Sequence, residues 1–142
     1  MKSPRKSTIL AGLLSLLFAI PAMAQITTSI EFETTFPFYA GGAKMPAGAY
    51  RVTQPDSSES MLLVENSSGS HSAFVEFNST SSENPHAQSD VTFNKYGKTD
   101  FLNLLWVQGQ NSGMQIVPTK AEQMAAKAAA PVRHSVSAKN GG

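Results

Sequence analysis

The clearest hydrophobic pattern in the chain is an alternation over residues 26–38. The even positions hold apolar side chains or threonine, and the odd positions hold polar residues or proline. Alternation with a period of two is typical of a β-strand that turns one face to the core and the other to solvent. The pattern therefore predicts a long first strand. Pro37 has no backbone amide to donate, so we expect this strand to end at an edge or a bend.

Shorter segments of the same kind follow, separated by turns rich in glycine, proline, asparagine and serine. Further strands are predicted at residues 49–54, 61–65, 72–78, 89–96, 101–107 and 114–117. The segment 101–107 is apolar on both faces, which indicates a strand that is covered from both sides. About seven short strands predict a mainly β fold, either a small antiparallel β-sandwich or an open barrel.

A short C-terminal helix is predicted at residues 119–130. Thr119 and Glu122 have the spacing of a capping box, in which each side chain satisfies a free amide of the first helical turn. Pro131 ends the helix. An apolar stripe at helical spacing consists of Ala121, Met124, Ala125, Ala128 and Ala129. Because so short a helix is marginal by itself, we expect this stripe to dock on the free face of the strand at 101–107.

The two ends of the chain differ from this β domain, which we assign to residues 25–118. Residues 131–142 are short, polar and end in two glycines, so we expect a disordered tail. Residues 1–24 begin with basic side chains, continue with an apolar stretch and end in a small-x-small triplet. That order predicts a cleavable signal peptide, with the cut between Ala24 and Gln25.

The predicted leader indicates the compartment in which we expect to find the protein. Its apolar stretch at residues 9–20 is shorter than the roughly 20 residues that span a bilayer, so no stable membrane insertion is expected once the leader is removed. The chain has no cysteine, which excludes disulfides and a lipid-modified cysteine. We expect a secreted or periplasmic protein whose partner belongs to the envelope or the extracellular space.

Charge is distributed unevenly after removal of the leader. Residues 25–142 carry eight basic and ten acidic side chains, a net charge of −2. Four basic residues oppose nine acidic ones up to residue 118, whereas four basic residues oppose Glu122 alone from residue 119 on. An acidic body without a basic, aromatic-interleaved stripe argues against nucleic-acid binding. The basic end is expected to be solvated, and it could rest on the acidic body or on an anionic surface.

Several motifs together resemble one family of proteins. They are Phe36-Pro37-Phe38, the Pro46-Ala47-Gly48-x-Tyr50-x-Val52 hairpin, the Lys95-Tyr96-Gly97 turn, Phe101-Leu102-x-x-Leu105-Trp106, and the helix start Lys120-Ala121-Glu122. In these features the chain resembles a group of short exported β proteins of soil bacteria, whose members have no assigned activity. The resemblance implies a bacterial exported β domain and carries over no catalytic residues.

Candidate chemistry is sparse. His71, His86 and His134 lie in separate polar segments without a partner at metal-ligand spacing, so we expect no metal site and no cofactor. His86 and Asp90 could join a serine in a hydrolase triad, but no Gly-x-Ser-x-Gly elbow is present. The sequence therefore predicts no catalytic residues.

The aromatic residues are better candidates for a site. Tyr39, Tyr50, Tyr96 and Trp106, with Phe36 and Phe38, could line a groove that stacks on a ligand. The alternative is that Phe36, Phe38, Tyr50 and Trp106 are ordinary core residues. The favoured hypothesis is a non-enzymatic β domain that acts in binding or in envelope or extracellular structure. Two alternatives are a small extracytoplasmic enzyme and a surface subunit that assembles by pairing an open strand edge.

Overall fold

The computed structural model describes residues 29–141, which form ten strands and one helix. The strands are β1 (Ile30–Thr34), β2 (Phe38–Ala40), β3 (Ala43–Met45), β4 (Gly48–Thr53), β5 (Met61–Asn66), β6 (Ser72–Ser81), β7 (Asp90–Tyr96), β8 (Thr99–Trp106), β9 (Ser112–Ile116) and β10 (Val132–Asn140). The helix α1 (Lys120–Ala128) lies between β9 and β10 in the chain. The predicted leader and its cleavage site at Ala24 and Gln25 lie outside the described residues.

Eight of the strands close into a barrel. Their order around the ring is β8, β7, β10, β1, β4, β5, β6 and β9, and β9 returns to pair with β8. Every pairing in this ring is antiparallel. The predicted fold class, mainly β and antiparallel with one short helix, is confirmed. Of the two predicted architectures the structure has the barrel, which is closed, with two further strands outside it.

Those two strands, β2 and β3, form a hairpin against β8. Tyr39 of β2 pairs in parallel with Phe101 near the start of β8, whereas β9 pairs with the end of β8 at Leu104 through Trp106. The hairpin therefore covers the part of the β8 edge that β9 does not reach. β3 pairs only with β2, so it is the outermost strand of the described sheet.

The long first strand predicted for residues 26–38 is divided in two. β1 ends at Thr34, whose hydroxyl donates a hydrogen bond to the carbonyl of Phe36 at 2.9 Å. The chain then bends through Pro37 before β2 begins. The bend follows from proline's fixed φ and missing amide, which cannot continue a ladder.

Side chains fill the interior of the barrel. The inward-facing residues, each at most 5% exposed, include Ile30, Phe32, Phe38, Met45, Tyr50, Val52, Leu62, Val64, Val75, Phe77, Val91, Phe93, Leu102, Leu105, Met114 and Ile116. The ring of Phe38 lies centrally, 5.0 Å from Tyr50 and 5.2 Å from Phe93 between centroids, both edge to face. An eight-stranded barrel is just wide enough to be filled in this way. A bound ligand would therefore lie outside these packed side chains.

β8 is covered on both faces near its start. Leu102 points into the barrel and is 2% exposed. Phe101 is packed on the outer face by Tyr39, at 5.4 Å between centroids, and by Tyr96, at 5.7 Å. The predicted two-sided burial holds there but not at Trp106, which is only partly buried. Tyr39 and Tyr96 cover the outer face of β8 at Phe101, and this cover does not extend to Trp106.

The N-cap of α1 is as predicted, but the other half of the capping box and the packing are not, because the Glu122 carboxylate accepts from Asn94 and Tyr96 instead of from a helix amide. Thr119 is the N-cap, and its hydroxyl oxygen accepts a hydrogen bond from the Glu122 amide at 3.2 Å. The expected docking of the apolar stripe is wrong, because Met124 is 62% exposed and the buried residue of the helix is Glu122. Alanines offer little apolar area to bury, so a hydrogen-bonded carboxylate holds the helix instead. No helix within residues 29–141 is long and apolar enough to cross a membrane.

The prediction of a disordered tail is also wrong. Residues 132–137 of β10 pair with β7, and residues 138–140 pair with β1. Val136 and Ala138 pack against the core from the inner face. The strand consists mostly of small and polar residues, so its own hydrophobic pattern is weak. It is ordered because both neighbouring strands supply hydrogen-bond partners, which a local pattern does not reveal.

Candidate functional site

A groove lies on the outer face of the barrel. It has a volume of about 750 Å³, and it crosses β10, β1, β4 and β5 and ends against the turn between β5 and β6. Its lining residues are Glu31, Phe32, Glu33, Ala49, Tyr50, Arg51, Glu65, Asn66, Ser67, Ser68, Gly69, Ser137, Ala138 and Lys139. The groove has the size of ordinary small-molecule sites.

Polar side chains reach this groove because alternate residues of a strand point outwards. In β1, Ile30 and Phe32 point into the core, which leaves Glu31 and Glu33 on the outer face. Arg51 of β4 pairs directly with Glu31 in the ladder. The same alternation that fills the barrel interior with apolar residues thus lines the groove with charged ones.

A row of alternating charge crosses the floor of the groove. Lys139, Glu31, Arg51 and Glu65 are consecutive register partners on four adjacent strands. Arg51 Nη2 lies 3.1 Å from Glu31 Oε2, and Lys139 Nζ lies 3.9 Å from Glu31 Oε1. Exposed pairs of this kind stabilise a fold by only about 0–1 kcal/mol, so a competing ligand could displace them at little cost.

Two carboxylates of the groove carry no ion pair within residues 29–141. Glu33 lies opposite Ala49 in the ladder and is exposed. Glu65 lies opposite Arg51, but the two side chains do not approach within 4.0 Å. The free negative charge is therefore concentrated on two strands that border the groove.

The turn that forms the end wall is held by its own hydrogen bonds. Asn66 Nδ2 donates to Ser70 Oγ at 2.9 Å, and the His71 amide donates to Asn66 Oδ1 at 3.0 Å. The hydroxyls of Ser68 and Ser70 lie 2.9 Å apart. Gly69 adopts a φ of 78°, which a residue without Cβ accepts readily. The wall thus presents amide and hydroxyl groups in fixed positions.

Of the four aromatics predicted to face a ligand, Tyr39 and Tyr96 are brought together on the outer face around Phe101. The hydroxyl of Tyr96 donates to Glu122 Oε2 at 3.2 Å. Burial raises the pKa of Tyr96, and the neighbouring carboxylate of Glu122 raises it further. This cluster attaches α1 and the β2–β3 hairpin to the barrel, away from the groove.

Tyr50 and Trp106 lie apart from this cluster, and Tyr50 is among the residues that line the groove. Tyr50 is 2% exposed inside the barrel, its hydroxyl donates to the carbonyl of Pro46, and burial raises its pKa. Trp106 lies at one end of the barrel, where the ring of His86 stacks on it at 4.0 Å between centroids and 13° between planes. A Cβ on Gly113 would lie 2.7 Å from the indole, so the close approach of β9 requires glycine.

The structure also brings His86 and Asp90 to this end of the barrel. Burial raises the pKa of Asp90, and the charge of His86 partly offsets that rise. One carboxylate oxygen, Oδ1, is buried without a hydrogen-bond partner. The adjacent serine, Ser89, donates its hydroxyl to Asn140 Oδ1 at 2.9 Å and accepts from the Gln108 amide. The Ser89 hydroxyl thus makes its hydrogen bonds with Asn140 and Gln108 and not with His86, so it is not arranged as a nucleophile.

The three histidines are dispersed over the fold. His71 lies just after the turn that forms the end wall of the groove, where its Nδ1 is 3.2 Å from Ser70 Oγ. His134 lies 2.6 Å from the buried carboxylate of Asp100 and packs on Phe36. Among residues 29–141 no three His, Cys, Asp or Glu side chains are grouped so that they could hold a metal ion.

Of the residues that line the groove, the sequence singled out Tyr50, which is 2% exposed, but not the charged ones. Glu31 and Glu33 were recognisable as sharing one strand face, but their partners come from β4, β5 and β10, far away in the chain. A signal was present in the alternation of charge with apolar positions in each strand. Without the register, however, nothing aligned Lys139 with Glu31 or Arg51.

Comparison with protein-family models, with curated protein sequences and with solved structures gives no match.

Proposed function

We propose that this chain is an exported, non-enzymatic binding domain, and that it binds its ligand in the groove on the outer face of the barrel. The observation that carries the proposal is the groove itself, a concavity of about 750 Å³ lined by polar groups from four strands and a fixed turn. Export is supported by the leader-like order of residues 1–24. The resemblance to exported β proteins of soil bacteria points the same way.

The packed core supports an outer site. Phe38, Phe93 and Leu105 are each at most 1% exposed, and they occupy the space in which other eight-stranded barrels hold a small ligand. The rings of His134 and Phe36 pack against Phe93 and add to this filling. The groove, by contrast, has no covering element within the described residues.

The chemistry of the lining favours a ligand that carries both hydroxyl and amine groups. The free carboxylates of Glu33 and Glu65 would accept hydrogen bonds from a protonated amine, which are the stronger, charge-assisted kind. The amide and hydroxyl groups of Asn66, Ser67 and Ser68 can donate to and accept from hydroxyls. An oligomer of an amino sugar combines these features, and such a ligand would suit a protein of the envelope or the extracellular space.

The test uses the mature chain, residues 25–142, and a tetramer of glucosamine, titrated by calorimetry at about pH 6 where the amines are protonated. The N-acetylated tetramer, which has the same hydroxyls without the charge, is the matched ligand. We expect the amine form to bind severalfold more tightly, because each ion pair with an exposed carboxylate contributes up to about 1 kcal/mol. Glu33→Gln and Glu65→Gln should each weaken it by a similar factor.

Glu76→Gln is the matched control variant, because Glu76 is an exposed carboxylate of β6 that does not line the groove. It should bind as the wild type does. Failure of both tetramers to bind, or equal binding by the Glu33 and Glu76 variants, would refute the proposed site. Mass spectrometry of the recovered tetramer tests the non-enzymatic part, and cleavage products would favour the enzyme hypothesis instead.

A further inference from the structure

Among the described residues, three large apolar side chains are exposed, one each on β6, on α1 and at the start of β10. Phe74 of β6 is 61% exposed, and its register partner on β5, Leu63, is partly buried beside it. Met124 of α1 and Val132 at the start of β10 are 62% and 66% exposed. Exposed apolar groups that cluster are a feature of protein–protein contacts rather than of a solvated surface.

The surface around Phe74 is acidic. Glu76 lies two residues along β6 on the same outer face, opposite Met61 of β5. Glu65 lies two residues beyond Leu63 on β5, also facing outwards. We call this surface, formed by Met61, Leu63, Phe74 and Glu76, the Phe74 face. It offers a flat apolar centre with negative charge beside it.

The surface around Met124 is basic. Lys120 and Lys127 lie four residues before and three residues after Met124, and this spacing places all three on one side of the helix. The single acidic residue of α1, Glu122, is 6% exposed and accepts hydrogen bonds from Asn94 and Tyr96, so its charge is turned inwards. We call the surface formed by Lys120, Met124 and Lys127 the helix face.

The two faces match each other but cannot meet in one molecule. α1 is attached to β7 through Glu122, and β5 stands four places from β7 in the eight-stranded ring, which is on the opposite side of the barrel. The Phe74 face has an apolar centre beside carboxylates, and the helix face has an apolar centre between two ammonium groups. The two faces are therefore complementary. Complementary patches on opposite sides join separate copies head to tail.

We infer that the helix face of one copy binds the Phe74 face of a second copy, so that the protein associates head to tail through side chains. Such a contact is heterologous, and each bound copy leaves one free face at each end. Association can therefore continue beyond a dimer. The contact does not use a strand edge, and it leaves Glu33 in the groove uncovered.

Sedimentation velocity on residues 25–142 tests this inference, at protein concentrations from about 5 µM to about 500 µM. We expect the sedimentation coefficient to rise with concentration at about 20 mM salt, and the rise to shrink at about 500 mM salt because the charges are screened. Phe74→Ser, Met124→Ser and the double variant Lys120→Glu/Lys127→Glu should each be monomeric. Lys98→Glu, a charge reversal in the exposed β7–β8 turn, should associate as the wild type does.

Mixing the single-face variants separates head-to-tail contact from a symmetric one. Phe74→Ser retains the helix face and Met124→Ser retains the Phe74 face, so an equimolar mixture should form dimers that grow no further. All the substituted residues are exposed, and unchanged far-ultraviolet circular dichroism confirms the fold of each variant. A wild-type protein that stays monomeric, association that survives Phe74→Ser, or a Met124→Ser variant that dimerises alone would overturn the inference.

Discussion

The carboxylate of Glu122 accepts a hydrogen bond from the hydroxyl of Tyr96, with 3.2 Å between the two oxygens. Asn94 Nδ2 donates to the same carboxylate oxygen at 3.2 Å, and Arg133 Nε donates to Asn94 Oδ1. A polar network therefore connects α1 to β7 and β10. The helix is held to the barrel by one buried carboxylate rather than by its apolar stripe.

Replacing this carboxylate should loosen the helix. Glu122→Ala leaves Asn94 and Tyr96 without their acceptor, and we expect a loss of about 1–3 kcal/mol in the free energy of unfolding, measured by urea denaturation. Glu83→Ala, which removes an exposed carboxylate from the loop before β7, should change it by less than about 0.5 kcal/mol. Equal effects of the two substitutions would show that the network does not stabilise the fold.

Asp90 should destabilise the protein at neutral pH. Burial raises its pKa in the folded state, so in the interval above its unfolded pKa of about 4 the folded state binds more protons than the unfolded state. Stability therefore falls as the pH rises through this interval, and the deficit is complete above the folded pKa. Asp90→Asn should raise the melting temperature at pH 7, and the difference should vanish below about pH 4.

Calorimetric scans of both proteins from about pH 3 to about pH 8 measure that difference. Glu33→Gln is the control, because Glu33 is exposed on the outer face and should give little change at any pH. A lower melting temperature for Asp90→Asn at pH 7 would mean that the ionised carboxylate has a compensating partner.

Trp106 reports directly on the loop that carries His86, because it is the only tryptophan in the chain. Its ring is partly buried and stacked on the imidazole at 4.0 Å. His86→Ala should uncover one side of the indole, shift the emission to longer wavelength and increase quenching by iodide. His71→Ala, in the turn between β5 and β6, should leave the emission unchanged. An unshifted His86→Ala spectrum would contradict the stack.

Val136 tests whether β10 is part of the fold. It pairs with Val91 of β7 and lies two residues before Ala138, whose amide donates to Ser89, so strand alternation turns the Val136 amide towards β7 and Val136→Pro removes a ladder hydrogen bond. We expect loss or marked weakening of the cooperative thermal transition seen by circular dichroism, because β10 joins β7 to β1. Val136→Ala shortens the side chain but keeps the amide, so it should retain a cooperative transition at a somewhat lower temperature. Similar melting of both variants would show that β10 is dispensable.

Export is tested by the mature N-terminus. After expression of the full chain in a bacterium, we expect the protein outside the cytoplasm with Gln25 as its first residue, as determined by mass spectrometry. Ala24→Arg should block cleavage, because the site requires a small residue. Ala47→Arg adds the same charge away from the cleavage site, so this control should be cleaved as the wild type is. A wild-type product that retains Met1 would refute the predicted signal peptide.

Local patterns predicted those features that depend on neighbouring residues. The alternation of Ile30 and Phe32 with glutamates indicated an inward and an outward face, and both are observed. Thr119 and Glu122 predicted the helix start, which is confirmed at 3.2 Å. Pro37 predicted the end of the first strand. Each of these depends on side-chain period, capping or proline geometry within a few residues.

Only the tertiary structure decided how the segments were paired. The residues of β10 are too small and polar for their own pattern to predict a strand, and the strand exists because β7 and β1 both have backbone groups to satisfy. Glu122 is buried for a similar reason, since Asn94 and Tyr96 reach it from β7. The groove, too, depends on a register that aligns Lys139 with Glu31. The period of a strand thus determines which side chains face the core, whereas hydrogen bonding between distant segments determines which strands become neighbours.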